Sequence, residues 1–147
     1  MKRIFNIETT KHIGEKVNVR GWVHSRRDHG KIVFIDLRDN SSLLQVVCSS
    51  PLMEGVREES VLSIEGKIKE RPKNMINKDL PTGEIELEAE KVDILAIADV
   101  LPFEIKEQIE ASLPVMLDYR PLALRNEKLK AIFQIEETII KTIFSDV

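Results

Sequence analysis

The sequence predicts an all-β fold, in which five strands form a barrel that is followed by a linker and a C-terminal helix. Three observations support this prediction. Five segments alternate apolar and polar residues with the period of a half-buried strand. Residue types that favour turns and loops separate these segments. After residue 96 the alternation ends, and apolar residues recur with the spacing of an amphipathic helix.

The first three strands are predicted over residues 15–28, 31–38 and 43–49. In each strand one set of alternate residues is small or apolar and should face the barrel interior. The inward set is Val17, Val19, Gly21 and Val23, then Val33, Ile35 and Leu37, then Leu44, Val46 and Cys48. The segment Asp39-Asn40-Ser41-Ser42 has the composition of a turn and predicts a hairpin between strands two and three.

Strands four and five are predicted over residues 60–70 and 84–95. Pro51 can open a short helix that runs to about Glu58, because proline suits a first helical position. The polar stretch from Arg71 to Gly83 should form an exposed loop. A short helix between strands three and four is typical of a five-stranded OB-fold Greek-key barrel. The alternative, an SH3-like barrel, lacks that helix.

The chain is predicted to contain an OB-fold domain over residues 1–96, a hinge or linker over 97–123 and a helix over 124–147. The helix places its apolar residues on one side. They are Leu129, Ile132, Phe133, Ile135, Ile139, Ile140 and Ile143. Such a helix is too apolar on one side to lie alone in water, so it is expected to be the first element of a domain that the sequence lacks.

The composition of the chain argues against several classes of function. Lys and Arg number 22 against 25 Asp and Glu, and the net charge of −3 argues weakly against a non-specific nucleic-acid coat. The single cysteine, Cys48, excludes an internal disulfide and a cysteine-based zinc site. The N-terminus has no signal-peptide pattern and no segment is apolar enough to span a membrane. We therefore expect a cytoplasmic protein.

The hairpin of strands two and three carries the candidate binding site. If Val33, Ile35 and Leu37 point inward, Phe34 and Gln45 share the outer face and project into solvent next to each other or one step apart diagonally. An exposed ring suits base stacking, and an amide can read a base edge. Arg26 and Arg27 should lie near the same surface. The alternative is that Phe34 belongs to the core.

No active site is predicted. The three histidines, His12, His24 and His29, lack the spacing of metal ligands, and Cys48 should be buried and inert. No glycine-rich phosphate loop occurs. An acidic row with a period of two on strand five is expected to be a solvated face. It consists of Glu84, Glu86, Glu88 and Glu90.

Four segments together resemble the N-terminal region of class II aspartyl-tRNA synthetases of the bacterial type. They are GWVHSRRDHGKIVFIDLRDNSSLLQVV (residues 21–47), LPTGEIE (80–86), DVLPFEI (99–105) and LDYRPLALRNEKL (117–129). The similarity spans nearly the whole chain in the correct order. It implies an OB-fold domain that binds the tRNA anticodon, and it favours the aspartyl type over the asparaginyl and lysyl relatives.

The resemblance also implies roles for individual residues. Phe34 should stack on the central anticodon base and Gln45 should hydrogen-bond to it, while Arg26 and Arg27 contact bases or backbone. Three further residues should contact the first and last anticodon bases, namely Arg71, Asn77 and Glu86. The sequence departs from the family at Ser25, where many relatives carry a third arginine, and at Asn126 and Glu127 in the last segment.

His29 bears on which tRNA is bound. In members of this family a histidine here tends to accompany enzymes that charge both aspartate and asparagine tRNAs. The hypothesis is therefore that the chain binds tRNA(Asp) and also tRNA(Asn).

The resemblance further implies that the parent is an aspartate–tRNA ligase that uses ATP and Mg²⁺ and forms a homodimer, largely through a catalytic domain after residue 147. The 147 residues themselves are expected to need no cofactor or metal, to have no catalytic residues and to be inactive alone. Two other functions remain as alternatives. One is a sequence-nonspecific single-stranded nucleic-acid-binding OB protein, and the other is a non-catalytic protein-interaction module.

Overall fold

A computed structural model describes residues 3–105 and 108–145, and it contains all five predicted strands. They are β1 (Lys16–His29), β2 (Ile32–Arg38), β3 (Leu43–Ser49), β4 (Val61–Glu70) and β5 (Ile85–Ala96). The strands form a closed barrel in the order β1-β2-β3-β5-β4, and β4 pairs with β1. Every pairing is antiparallel except that of β3 with β5. The predicted OB-fold barrel is confirmed.

The barrel interior is filled by the alternate residues that the sequence assigns to it. Val33, Ile35 and Leu37 of β2 are fully buried, and they face Cys48, Val46 and Leu44 of β3 in register. The other strands and the connection before β4 add further apolar side chains. These are Val17, Val19, Val23, Met53, Val56, Leu62, Ile64, Ile68, Ile85 and Leu87. The predicted core is confirmed.

A β-bulge interrupts the alternation of β1. Val23 pairs with Leu37, but Ser25 pairs with Asp36, so His24 is an extra residue in β1. An extra residue reverses which side chains face outward in the rest of the strand. After the bulge, Ser25 and Arg27 lie on the outer face.

The helix between β3 and β4 is shorter than predicted. It is a 3₁₀ turn, Ser50–Met53, with Pro51 near its start as expected, and it does not extend to Glu58. Gly55 follows with φ 72°, in the left-handed region, which a right-handed helix cannot continue through. The remaining residues before β4 form turns.

Two further 3₁₀ turns were not predicted. The first, Asn6–Lys11, precedes β1 and is held by the fully buried Asn6, whose Nδ2 donates to the carbonyl oxygens of Leu37 and Ser42 at 2.8 and 3.0 Å. The backbone N–H of Asn6 donates to Asp39 Oδ2 at 2.8 Å, so this turn is tied to the β2–β3 hairpin. The second, Lys73–Met75, lies in the mostly exposed loop before β5.

The chain divides into two compact units, residues 1–99 and 100–147. The second unit contains α1 (Leu113–Asp118), α2 (Arg120–Ala123) and α3 (Glu127–Ser145). The first two are short helices in a segment predicted to be a linker, and α3 begins three residues later than the predicted start at residue 124. The reason for that start is Asn126, whose Oδ1 accepts a hydrogen bond from the N–H of Leu129 at 3.1 Å and so caps the helix.

The apolar side of α3 is exposed within this chain, as the sequence pattern suggests. Ile132, Ile135, Ile139 and Ile143 are each more than half exposed. Among the described residues, no helix has both the length and the apolar character needed to cross a membrane.

Candidate nucleic-acid interface

Phe34 and Gln45 lie on the same outer face of the β2–β3 hairpin. Phe34 pairs with Val47, and Gln45 pairs with Asp36, so Phe34 and Gln45 are diagonal neighbours. Phe34 is half-buried and is not part of the interior cluster. The predicted parity of the hairpin is confirmed, and the alternative that Phe34 is a core residue is wrong.

Gln45 does not project into solvent, and that part of the prediction is wrong. Its side chain lies on the outer face, but the residue is only 9% exposed. Its Nε2 donates to Glu86 Oε2 of the neighbouring strand β5 at 2.9 Å. A carboxylate can only accept hydrogen bonds, so Glu86 fixes the amide with its nitrogen toward β5. The amide oxygen and the second N–H point away from Glu86.

Arg27 and His29 border Phe34 from β1. Arg27 pairs directly with Phe34 in the strand register, and its side chain is half exposed. The His29 ring meets the Phe34 ring edge-on, with 5.5 Å between ring centroids. The stacking surface of the Phe34 ring is therefore bordered by the guanidinium of Arg27 and the imidazole of His29.

Asp36 belongs to the same cluster of outer-face side chains as Phe34, Gln45 and Arg27, and the sequence analysis did not include it. It lies two residues after Phe34 on the same face and directly opposite Gln45. Its Oδ2 accepts a hydrogen bond from Ser25 Oγ at 2.5 Å, and Arg27 Nη2 lies 3.3 Å from the same oxygen. The alternation that placed Phe34 outward also places Asp36 outward, so the signal was present in the sequence.

Arg26 lies on the other face, and the prediction that it shares the Phe34 surface is wrong. Because of the bulge, Arg26 pairs with Ile35, and its Nη1 donates to the carbonyl oxygens of Met53 and Val56 at 2.9 and 2.6 Å. Its other nitrogens bond both oxygens of Asp28, and this contact raises the pKa of Arg26 and lowers that of Asp28. Arg26 thus ties the 3₁₀ turn to β1, and an anticodon contact by Arg26 stays a prediction.

Arg71 enters the cluster from the end of β4 and is only 8% exposed. Its Nε donates to the carbonyl oxygen of Ile85 at 2.8 Å, which fixes the guanidinium. Burial lowers the pKa of Arg71, while the charges of Glu86 and Asp36 act in the opposite direction. Its Nη2 is buried and has no hydrogen-bond partner among the described residues. A buried donor in that state favours a ligand that brings an acceptor.

Asn77 lies in the exposed loop and organises its turn. Its Oδ1 accepts from the N–H of Asp79 at 3.0 Å, and its own N–H donates to the carbonyl oxygen of Gly83 at 3.1 Å. Thr82 anchors the end of this loop through a hydrogen bond from its hydroxyl to the carbonyl oxygen of Leu43 on β3. The loop is therefore held beside the strand that carries Gln45.

In the acidic row along β5, Glu84, Glu88 and Glu90 are exposed as expected, and Glu86 is partly buried. Two of its members pair with lysines of other strands: Lys69 Nζ of β4 lies 2.6 Å from Glu88 Oε2, and Lys16 Nζ of β1 lies 2.6 Å from Glu90 Oε2. No group of three or more His, Cys, Asp or Glu side chains that could hold a metal ion occurs in the described part of the chain.

Cys48 points into the core, and burial raises the pKa of its thiol to about 11. A raised thiol pKa stabilises the fold below the pKa of about 8.5 of an unfolded cysteine, and this contribution is lost as pH rises toward the folded value. We expect Cys48 in the folded protein to resist a thiol-labelling reagent at pH 8 and to react at once in denaturant. Rapid labelling of the folded protein at pH 8 would contradict this assignment.

Comparison with known proteins agrees with the fold. Residues 17–95 match the tRNA anti-codon family, which is described as an OB-fold nucleic acid binding domain. The match covers more than half of the chain, and the chain belongs to this family.

Several curated relatives are tRNA ligases. The chain is 40% identical over 141 residues to the aspartate–tRNA(Asp/Asn) ligase of Halothermothrix orenii, a match that covers 91% of this chain and 24% of the relative. It is 44% identical over 128 residues to the enzyme of the same name from Dictyoglomus turgidum, with 82% and 22% covered. The chain thus spans about a quarter of the length of the curated relatives it matches.

Solved structures give the same picture. Asparaginyl-tRNA synthetase from Pyrococcus horikoshii, complexed with asparaginyl-adenylate, is 28% identical with a TM-score of 0.74, covering 95% of this chain and 32% of that one. The aspartyl tRNA synthetase of Entamoeba histolytica has a TM-score of 0.78 at 20% identity, covering 93% of this chain and 35% of that one, and supports the fold alone.

Proposed function

We propose that the outer face of β2 and β3 binds the anticodon loop of tRNA(Asp). The observation that carries the proposal is that the half-buried ring of Phe34 and the oriented amide of Gln45 lie one diagonal step apart on the same face. The ring offers a stacking surface for one unstacked base, and the amide lies beside it to read that base's edge. OB folds bind oligonucleotides on this face.

The orientation of Gln45 favours a particular kind of base. Because Nε2 is directed to Glu86, the ligand meets the amide oxygen and the second N–H. A uracil edge is complementary to this pair, since its N3–H can donate to the amide oxygen and a neighbouring carbonyl can accept from the N–H. Uridine is the central base of the anticodon GUC. The amide thus supports discrimination at the position where Phe34 stacks.

The charges around this pair support recognition of base edges together with backbone contacts. Arg27 and Arg71 supply two cations, while Asp36 and Glu86 supply two anions. In this proposal Glu86 and the buried guanidinium of Arg71 contact a flanking base, and Asn77 does so from the loop. Arg27 is exposed and can reach a phosphate. We expect binding to weaken with added salt, because phosphate contacts release counterions.

We further propose that the chain is the tRNA-reading part of an aspartate–tRNA ligase, as the names of its relatives suggest. In such a ligase ATP and Mg²⁺ serve the joining of aspartate to tRNA, and the residues described here orient the tRNA without taking part in that chemistry. A cytoplasmic location and a homodimeric parent are parts of the same proposal.

The histidine at position 29, which in this family tends to accompany enzymes that charge both tRNAs, extends the proposal to tRNA(Asn). Its ring lies edge-on to Phe34 at the end of β1, beside the base expected to stack there. The anticodons of the two tRNAs, GUC and GUU, differ only in the last base. A chain that serves both should bind stem-loops carrying either anticodon with similar affinity, and a strong preference for GUC would contradict dual recognition.

The proposal is tested by titrating the 147-residue chain with an anticodon stem-loop carrying GUC and with the same stem carrying a scrambled loop. We expect the GUC loop to bind at least about tenfold more tightly, since each mismatched base costs on the order of 1–3 kcal/mol in specific recognition. Fluorescence anisotropy at two salt concentrations measures both affinity and salt dependence. Equal affinity for both loops would favour the nonspecific single-strand binder, and no binding to either would favour a protein-interaction module.

A further inference from the structure

Asp36 is an acidic side chain in the middle of the face assigned to RNA, where a negative charge should by itself repel phosphate. It accepts hydrogen bonds from two residues of β1 and lies directly opposite Gln45. We propose that Asp36, held by Ser25, is a positioning residue that presents Arg27 to the RNA. This inference rests on the proposed function and assigns a role to two residues outside the predicted site.

The strand register brings the three side chains together. Ser25 pairs with Asp36 and Arg27 pairs with Phe34, so Asp36 contacts one directly opposite residue and one diagonal residue. Both residues of β1 reach this face only because His24 is bulged. Without the extra residue, Arg26 would face outward in place of Arg27. The bulge selects the arginine, and Asp36 sets its direction.

The lengths of the contacts fit a positioning role. Ser25 Oγ donates a hydrogen bond to Asp36 Oδ2 and so holds the carboxylate. Arg27 Nη2 lies 3.3 and 3.4 Å from the two carboxylate oxygens, which is long for a charge-assisted hydrogen bond. In this proposal the contact restrains the guanidinium through Nη2, and its other N–H groups bind the RNA. Restraint before binding reduces the entropy lost on binding.

The burial of the pair points the same way. The Asp36 side chain is 21% exposed and that of Arg27 is 53% exposed. A half-exposed ion pair contributes little to stability, so the fold gives little reason for this arrangement. The neighbouring cation, Arg71, is held independently through the carbonyl oxygen of Ile85. Arg27 is accordingly the cation of this face whose direction depends on Asp36.

The test depends on whether Asp36→Asn weakens or strengthens RNA binding. Asp36→Asn removes a negative charge with almost no change in shape, so electrostatics alone predicts tighter RNA binding. The positioning role predicts weaker binding, by about threefold to tenfold for the GUC stem-loop. In an Arg27→Ala background the same substitution should no longer weaken binding, because the residue that it positions is absent. Asp93→Asn, which removes a carboxylate paired with Lys91 near the far end of β5, is the control for charge alone.

Ser25 provides a second variant that leaves the charge untouched. Ser25→Ala should weaken binding in the same direction, and Ser25→Thr should restore it because the hydroxyl returns. Thermal unfolding of each variant checks the fold, and the Ser25 pair decides the question if Asp36→Asn unfolds. Unchanged or tighter RNA binding by Asp36→Asn would overturn the positioning role. So would an equal loss of affinity on Asp36→Asn in the Arg27→Ala background. In either case, binding of the GUC stem-loop by the wild type would still uphold the proposed function. Absence of wild-type binding to any RNA would overturn both.

Discussion

Phe34→Ala is expected to weaken binding of the GUC stem-loop by about 1–3 kcal/mol, roughly 5- to 150-fold, while the protein stays folded. The reason is that the ring lies on the outer face of β2, with an edge contact to His29, and does not belong to the interior cluster. Its loss removes the stacking surface without opening a cavity in the core. Anisotropy titration and thermal unfolding of the same preparation measure the two effects separately.

Ile94→Ala is the matched control for this substitution. Ile94 is an exposed apolar residue of β5, 41% accessible, and it pairs with Leu62 of β4 away from the β2–β3 hairpin. Its truncation should leave RNA affinity unchanged. A sharp fall in thermal stability of Phe34→Ala with little change in affinity would show that the ring supports the barrel and does not read RNA.

Gly83→Ala is expected to lower the free energy of unfolding by about 1–3 kcal/mol and to weaken stem-loop binding about tenfold. A Cβ at Gly83 would lie 1.7 Å from the backbone carbonyl oxygen of Asn77, and this main-chain group cannot rotate away as a side chain would. The loop from Arg71 to Gly83 must therefore change its course. Asn77 moves with it, and Arg71 loses its support at the start of β5.

Gly55→Ala separates the two consequences. A Cβ at Gly55 meets open space, but the residue has φ 72°, so the substitution costs about 1–2 kcal/mol of backbone strain. Gly55 lies in the connection before β4 and contributes nothing to the RNA-facing cluster. Chemical denaturation should thus show a lower free energy of unfolding for both variants, whereas only Gly83→Ala should bind the stem-loop less tightly. Equal RNA affinity of the two variants would show that the loop is not part of the proposed interface.

The barrel and the shared face of Phe34 and Gln45 could be predicted from the sequence because strand alternation is a local property. Once Val33, Ile35 and Leu37 are inward, the outer positions of both hairpin strands follow. The same reasoning could have added Asp36, since it has the parity of Phe34. The 3₁₀ turn at Asn6–Lys11 could not be found in this way, because its position depends on Asn6 bonding to the distant hairpin.

The burial of Gln45 and the direction of Arg26 could not be predicted, because both depend on contacts between distant parts of the chain. Gln45 is covered because β5 runs beside β3 and supplies Glu86 as a partner. Arg26 turns inward because β1 carries one extra residue, and nothing in the local sequence at His24 marks a bulge. The sequence analysis therefore placed both Arg26 and Arg27 near the Phe34 surface, where only Arg27 lies.

The placement of β5 between β3 and β4 has a consequence for how the protein acquires its function during synthesis. The final strand of the barrel is inserted between two strands made earlier, and it carries the carboxylate that orients Gln45. Until residue 96 has left the ribosome, β3 and β4 present unpaired edges to other nascent chains. Closure also depends on contacts distant in sequence, which makes it a slow step of folding. The proposed RNA-binding surface and the protection from aggregation should therefore arise in the same late event.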